Sequence, residues 1–114
     1  MVWQRAMELT EAVYELTKPF PLEEMYGLTS QIRRASVSIA SNIAEGRGRG
    51  SDGEFKHFLN IAMGSTYEVQ TQLLLARRLK IGNAASLDKA ESLCVQTSKM
   101  LGALIQSIKN VARS

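Results

Sequence analysis

Residues 23–50, EEMYGLTSQIRRASVSIASNIAEGRGRG, decide how this chain reads. Leu28, Ile32, Ala35, Ile39 and Ile43 recur at steps of four, three, four and four. Such spacing places them on one face of a helix, whereas a strand would scatter them over both of its faces. Val37, Ala40 and Ala44 form a second stripe of small apolar residues beside the first. The helix is therefore apolar over a wider arc than one partner helix covers. Gly46 follows the last periodic residues and suits the left-handed position that closes many helices. The loop Arg47-Gly48-Arg49-Gly50 comes next. Ser51 and Glu54, just ahead of a new apolar run, carry a capping-box signature in which each side chain serves an orphan backbone N–H. One helix stops and another starts within about five residues, so the two are expected as antiparallel neighbours.

The same periodicity extends in both directions. Toward the N-terminus, Val2, Ala6, Leu9, Val13, Leu16 and Phe20 step by four, three, four, three and four, predicting a first helix over 2–17. Pro19 and Pro21 end it, because proline lacks the N–H and clashes with the preceding turn. The second helix is read over 22–45, with Glu23 and Glu24 at the positive end of its dipole and Gly27 as a weak spot in its first turns. A third helix is read over 52–80, with Phe55, Leu59, Ala62, Thr66, Val69, Leu73 and Ala76 as its stripe and Lys80-Ile81-Gly82-Asn83 as its stop. Ser86 is the expected cap of a fourth helix over 86–112. Its seam of Leu87, Ala90, Cys94, Thr97, Leu101, Leu104, Ile108 and Val111 suits shallow-angle packing in a bundle. No strand pattern, repeat or low-complexity tract appears. The expected fold is all-α, an antiparallel up-down-up-down four-helix bundle forming one domain over residues 1–114.

A chain of 114 residues with 45% hydrophobic and 22% charged residues has the composition of a globular domain able to build a core without staples. No apolar run approaches the ~20 residues of a membrane span, so no membrane partner is expected. The opening MVWQRAMELTEAV lacks the basic start and apolar centre of a secretory signal, and Cys94 is the only cysteine. Both observations make the cytoplasm the default location. The net charge of +3 is unevenly spread: residues 1–24 carry five acidic and two basic side chains, the remainder six acidic and twelve basic. The later helices and the loop before the third are thus the positive part of the molecule.

Little in this composition favours catalysis, and no enzyme activity, metal or cofactor is expected. His57 is the only histidine, so the two Glu-x-x-His motifs of a di-iron bundle cannot form within one chain. Cys94 lies on a helix seam, as a structural thiol does, without an apparent His or Asn partner. Gly46 to Gly50 contains a G-x-G-x-G run, but it follows a helix and lacks the Lys and Ser/Thr of a phosphate-binding loop. Polar groups on the helices say more. An antiparallel hairpin turning near residue 49 would set position 33 opposite position 65, within reach of Glu68. Arg33 or Arg34 then either pairs with Glu68, fixing helix register or a subunit contact, or contributes to a ring of arginines facing a partner. Arg47 and Arg49 are either a solvated loop or, with Lys56 one turn into the third helix, a phosphate-binding cluster. Phe55 and Phe58 are expected to face the core, leaving no stacking platform for sequence-specific single-strand readout. Val37, Ala40 and Ala44, with Ile61, Leu75 and Leu79, exceed what one bundle interior needs and are expected at a contact between copies of the chain.

The runs YGLTSQIRRASVSIASNIAEGRGR and SDGEFKHFLNIAMGSTYEVQTQL resemble the small bacterial family of 23S rRNA intervening-sequence (S23) proteins, as do Trp3 and Ala6 in VWQRAMEL and the Pro19-Phe20-Pro21 segment. The resemblance spans nearly the whole chain. It departs after Leu79, where the family usually continues Gly-Tyr and this chain has Lys80-Ile81-Gly82. It implies a four-helix bundle that assembles as a ring-like homopentamer. Through related accessory proteins of diversity-generating retroelements it also implies RNA or DNA, or a nucleoprotein or reverse-transcriptase-like protein, as partner. Two functional readings follow: a homo-oligomeric scaffold or adaptor whose basic band (Arg33, Arg34, Arg47, Arg49 and Lys56) binds nucleic acid without sequence preference, or an interaction module for proteins alone.

Overall fold

The structure, a computed structural model, describes residues 1–113 and the side chains of residues 1–111. Four helices fill it: α1 (Val2–Thr17), α2 (Leu28–Arg47), α3 (Asp52–Arg78) and α4 (Ala84–Arg113). Each packs against its neighbours in chain order and α4 closes back onto α1, while among the described residues no Cα of a diagonal pair, α1–α3 or α2–α4, comes within 8 Å of the other helix. The result is an up-down-up-down bundle with extents of 50 × 22 × 19 Å. No described residue lies in a strand. Among the described residues no helix is long and apolar enough to cross a membrane.

The inward stripes are those the periodicity picks out. Val2, Ala6, Leu9, Val13, Leu16 and Phe20 are buried, as are Ile32, Ala35, Ile39 and Ile43 of α2. Leu59, Ala62, Thr66, Val69, Leu73 and Ala76 of α3 join them, with Phe55 half-buried against the cluster. The α4 seam is wider than expected: Leu93 and Ile105 are buried beside Cys94 and Leu101, while Leu104 and Ile108 are half-buried and Val111 is exposed. The buried Thr66 and Thr97 hydroxyls are satisfied within their own helices, donating to the Ala62 and Leu93 carbonyls at 2.8 and 2.7 Å.

Four helix ends differ from the sequence expectation, each for a local reason. Leu22–Glu24 form a separate 3-10 turn, and α2 begins only after Gly27, at Leu28. The Glu24 carboxylate accepts from the Leu28 N–H at 3.4 Å and serves as the acidic group at the start of that helix. Gly46 does not close α2 in a left-handed conformation. It is helical and buried, and the left-handed residue of the connection is Gly50, φ +86°. At the start of α3, Ser51 Oγ accepts from the Glu54 N–H at 3.2 Å, half of the expected capping box. At the start of α4 the cap is Asn83 rather than Ser86: its Oδ1 accepts from the Ser86 N–H at 3.0 Å. Asparagine fits the position as well as serine does.

The end of α3 lies where the chain departs from its resemblance. The Ile81 N–H reaches the Ala76 carbonyl at 2.9 Å and the Lys80 N–H the Arg77 carbonyl at 3.1 Å. This is a Schellman turn, whose geometry needs a left-handed residue; Lys80 supplies it at φ +57°. An L-residue is strained there by roughly 1–2 kcal/mol. Lys80→Gly is therefore expected to stabilise the fold by about 1 kcal/mol, raising the thermal midpoint by roughly 4 °C. A thermal melt at fixed protein concentration checks this.

Candidate functional site

The α2–α3 connection gathers part of the expected basic cluster. Arg47 ends α2, Arg49 lies in the turn and Lys56 follows on α3. Their engagements differ. Arg49 Nε donates to Glu45 at 3.1 Å, and a second nitrogen lies 4.0 Å from Glu54. Its guanidinium also sits 5.0 Å from the centre of the Phe58 ring. Arg47 lies 5.7 Å from the Phe55 ring centre and, like Lys56, meets no carboxylate among the described residues. Both phenylalanines are half-buried rather than wholly inward, so their rings underlie the loop arginines.

Arg33 and Arg34 do not join this cluster. At 1.5 Å rise per residue they stand about 20 Å from Arg47 along α2. Nor does either pair with Glu68 in the chain, which corrects the expected register. Ser38 and Ser65 hydroxyls meet at 2.9 Å, so position 33 lies level with Gln70 and not with Ser65. Arg33 also points to the other side of α2. Its Nε donates to Thr17 Oγ1 at 2.8 Å and its guanidinium lies 4.6 Å over the Tyr14 ring of α1. Arg34 is exposed.

The expected contact residues divide. Val37 and Ala44 are exposed on α2, and Ile61, Leu75 and Leu79 on α3, the last at 60%. Ala40 is 6% exposed and belongs to the core, a correction caused by α1 packing on that side of α2. On α3, Ile61, Ser65, Glu68, Gln72, Leu75 and Leu79 follow one another at helical spacing, and Ser65 ties this stripe to the α2 edge.

Three further residues belong to the exposed surface: Trp3, Met7 and Tyr14, each about two-fifths exposed. With Thr10, whose hydroxyl donates to the Ser36 carbonyl at 3.1 Å, they form a stripe along the α1 edge that borders α2. Steps of four, three and four from Trp3 through Met7 and Thr10 to Tyr14 were a signal for it, but the stronger core stripe of the same helix draws attention first. α2 therefore lies between two exposed apolar edges. The groove on the α1–α4 side differs: Glu8, Glu11 and Glu15 line an open depression of about 670 Å³ floored by Ala12 and Leu93.

The remaining reactive groups do not converge among the described residues. Glu54 and His57 stand at Glu-x-x-His spacing, yet both are exposed, and no three His, Cys, Asp or Glu side chains converge among the described residues. Burial pushes the Cys94 thiol up to about 11, and the nearby Glu91 charge adds to the shift. The protonated thiol donates to the Thr66 carbonyl at 3.5 Å and is a poor nucleophile. Arg77 bridges to Asp88 at 2.8 Å and to Glu91, joining α3 to α4.

Comparison with known proteins places this geometry. A sequence model of the family described as 23S rRNA-intervening sequence protein matches residues 1–103. Among solved structures, the chain is similar to a 1.70 Å crystal structure of a protein with unknown function from the S23 ribosomal protein family of Bacteroides thetaiotaomicron VPI-5482. The two are 25% identical, with 92% of this chain and 98% of that one covered and a TM-score of 0.82. No functionally curated protein matches.

Proposed function

This chain belongs to the 23S rRNA-intervening sequence protein family, and we propose that it works as a non-enzymatic, self-assembling scaffold that offers a basic end to RNA or DNA. The observation that carries the reading is the exposed apolar surface on helices whose inner stripes already complete the core: Val37, Ile61, Leu75 and Leu79, with Trp3, Met7 and Tyr14. Surface of this kind marks an interface. The number five comes from the family resemblance. In a ring, Arg47 and Lys56 recur at one height in every copy, so contacts too weak singly add up through multivalency and counterion release. Arg33, committed to Thr17 and Tyr14, contributes less to such a band than its sequence position implies.

The test joins mass and binding. Light scattering at micromolar concentration should give a multiple of the chain mass; a monomer overturns the scaffold. Fluorescence anisotropy on a labelled single strand and a labelled duplex should show weak, length-dependent binding that fades as salt rises. Arg47→Ala with Arg49→Ala should weaken that binding several-fold without altering helix content or mass, since exposed loop side chains contribute little to stability. A second reading, an interaction module for proteins alone, is favoured by the ion pairs that hold Arg49 to Glu45 and Glu54. No binding at low salt, or binding unchanged in the double variant, would select it.

A further inference from the structure

We propose that the exposed α1–α2 edge of one copy seats on the α3 stripe of the next, with Arg33 of the first paired to Glu68 of the second. This rests on the self-assembly proposed above and names the faces that meet. Both edges are largely apolar and each holds one charge, Arg33 at the Tyr14 end of the first and Glu68 near the middle of the second. On the first, Arg33 lies over Tyr14, half-buried beside Val37; its Nε is used by Thr17 and its terminal nitrogens meet no carboxylate among the described residues. On the second, Glu68 stands exposed between Ile61 and Leu75, with no cation beside it among the described residues.

Covering either charge with an apolar face would be unfavourable, whereas covering both together satisfies both. Like faces related by a two-fold axis along the bundle would oppose Arg33 to Arg33 or Glu68 to Glu68. The charges therefore select a head-to-tail contact over an isologous one. The heights agree as well. Thr10 lies opposite Ser36 and Ser38 opposite Ser65. Counting along the antiparallel helices, Trp3 falls level with Asn60 and Ile61, and Arg33 with Gln70, less than one turn from Glu68. A ring whose axis runs along the bundle keeps every copy at one height, so these residues meet without a shift. The two faces flank α2 on its α1 and α3 sides, so each copy offers a different face to each of its two neighbours, as a head-to-tail assembly requires.

Trp3 is the only tryptophan; it lies on the outer α1 edge, about two-fifths exposed, and among the described residues no α1 Cα comes within 8 Å of an α3 Cα. A change in its emission on assembly therefore reports that another copy covers this edge. Wild-type protein diluted through its assembly range should show Trp3 emission moving to shorter wavelength as the mass rises. Glu68→Arg, on an exposed side chain, should raise the concentration for half-assembly by about tenfold or more. Arg33→Glu should do the same, with circular dichroism monitoring the lost Thr17 contact. Combining Arg33→Glu with Glu68→Arg should restore assembly. Assembly with unchanged Trp3 emission, or assembly indifferent to Glu68→Arg, would overturn this pairing of faces and leave the scaffold standing. A monomer at every concentration would remove both.

Discussion

Gly46→Val should destabilise the fold by about 3 kcal/mol, and Gly46→Ala by about 1 kcal/mol net. A Cβ at this position would lie 2.8 Å from Phe58 Cβ, 3.0 Å from Phe55 Cδ1 and 3.3 Å from the Phe55 carbonyl oxygen. Two of those atoms sit on or next to the α3 backbone and cannot swing aside, so the helices must separate where their connection is shortest. For alanine the clash is partly offset by its helix propensity, about 1 kcal/mol better than that of glycine. For valine both extra methyl groups enter the same gap. Chemical denaturation read by circular dichroism checks the gradation. If Gly46 were instead a left-handed helix terminus, alanine and valine would be penalised alike through φ. A gain in stability from alanine would show that α2 and α3 do not approach here as described.

Ile39→Ala should remove about 2–5 kcal/mol, a large share of the 5–15 kcal/mol that holds a domain of this kind. Ile39 is fully buried at the middle of α2 in the four-helix core, and close-packed interiors relax only partly around a deleted side chain. Val37, two residues earlier, is 43% exposed on the outer face of the same helix. Val37→Ala should change the stability of the folded chain by no more than about 0.5 kcal/mol while weakening self-association. The paired melts must be run at one protein concentration, because assembly adds to apparent stability. Equal losses from the two substitutions would overturn the assignment of the faces of α2.

The order and number of helices, their inward stripes and the chemistry at their breaks follow from local spacing. Leu9, Ile39, Leu73 and Leu101 repeat with the helical period whatever surrounds them. The expected bundle is therefore the one observed, with α1 over the same residues. The sequence alone also indicates that α2 and α3 carry more apolar surface than a core uses. What it leaves open is on which side of a stripe a neighbour lies. A helix has one inward direction but two flanks, and the flank that is covered depends on the handedness of the bundle and on the lengths of its connections. Packing against α1 puts Ala40 in the core and turns Arg33 toward Thr17 and Tyr14, away from Glu68. Gly46 shows the same dependence: next to a loop it reads as a terminus, and only the approach of Phe55 and Phe58 makes it a contact. Helical periodicity is a property of one segment, whereas register and flank are relations between two segments, so the tertiary structure alone decided them.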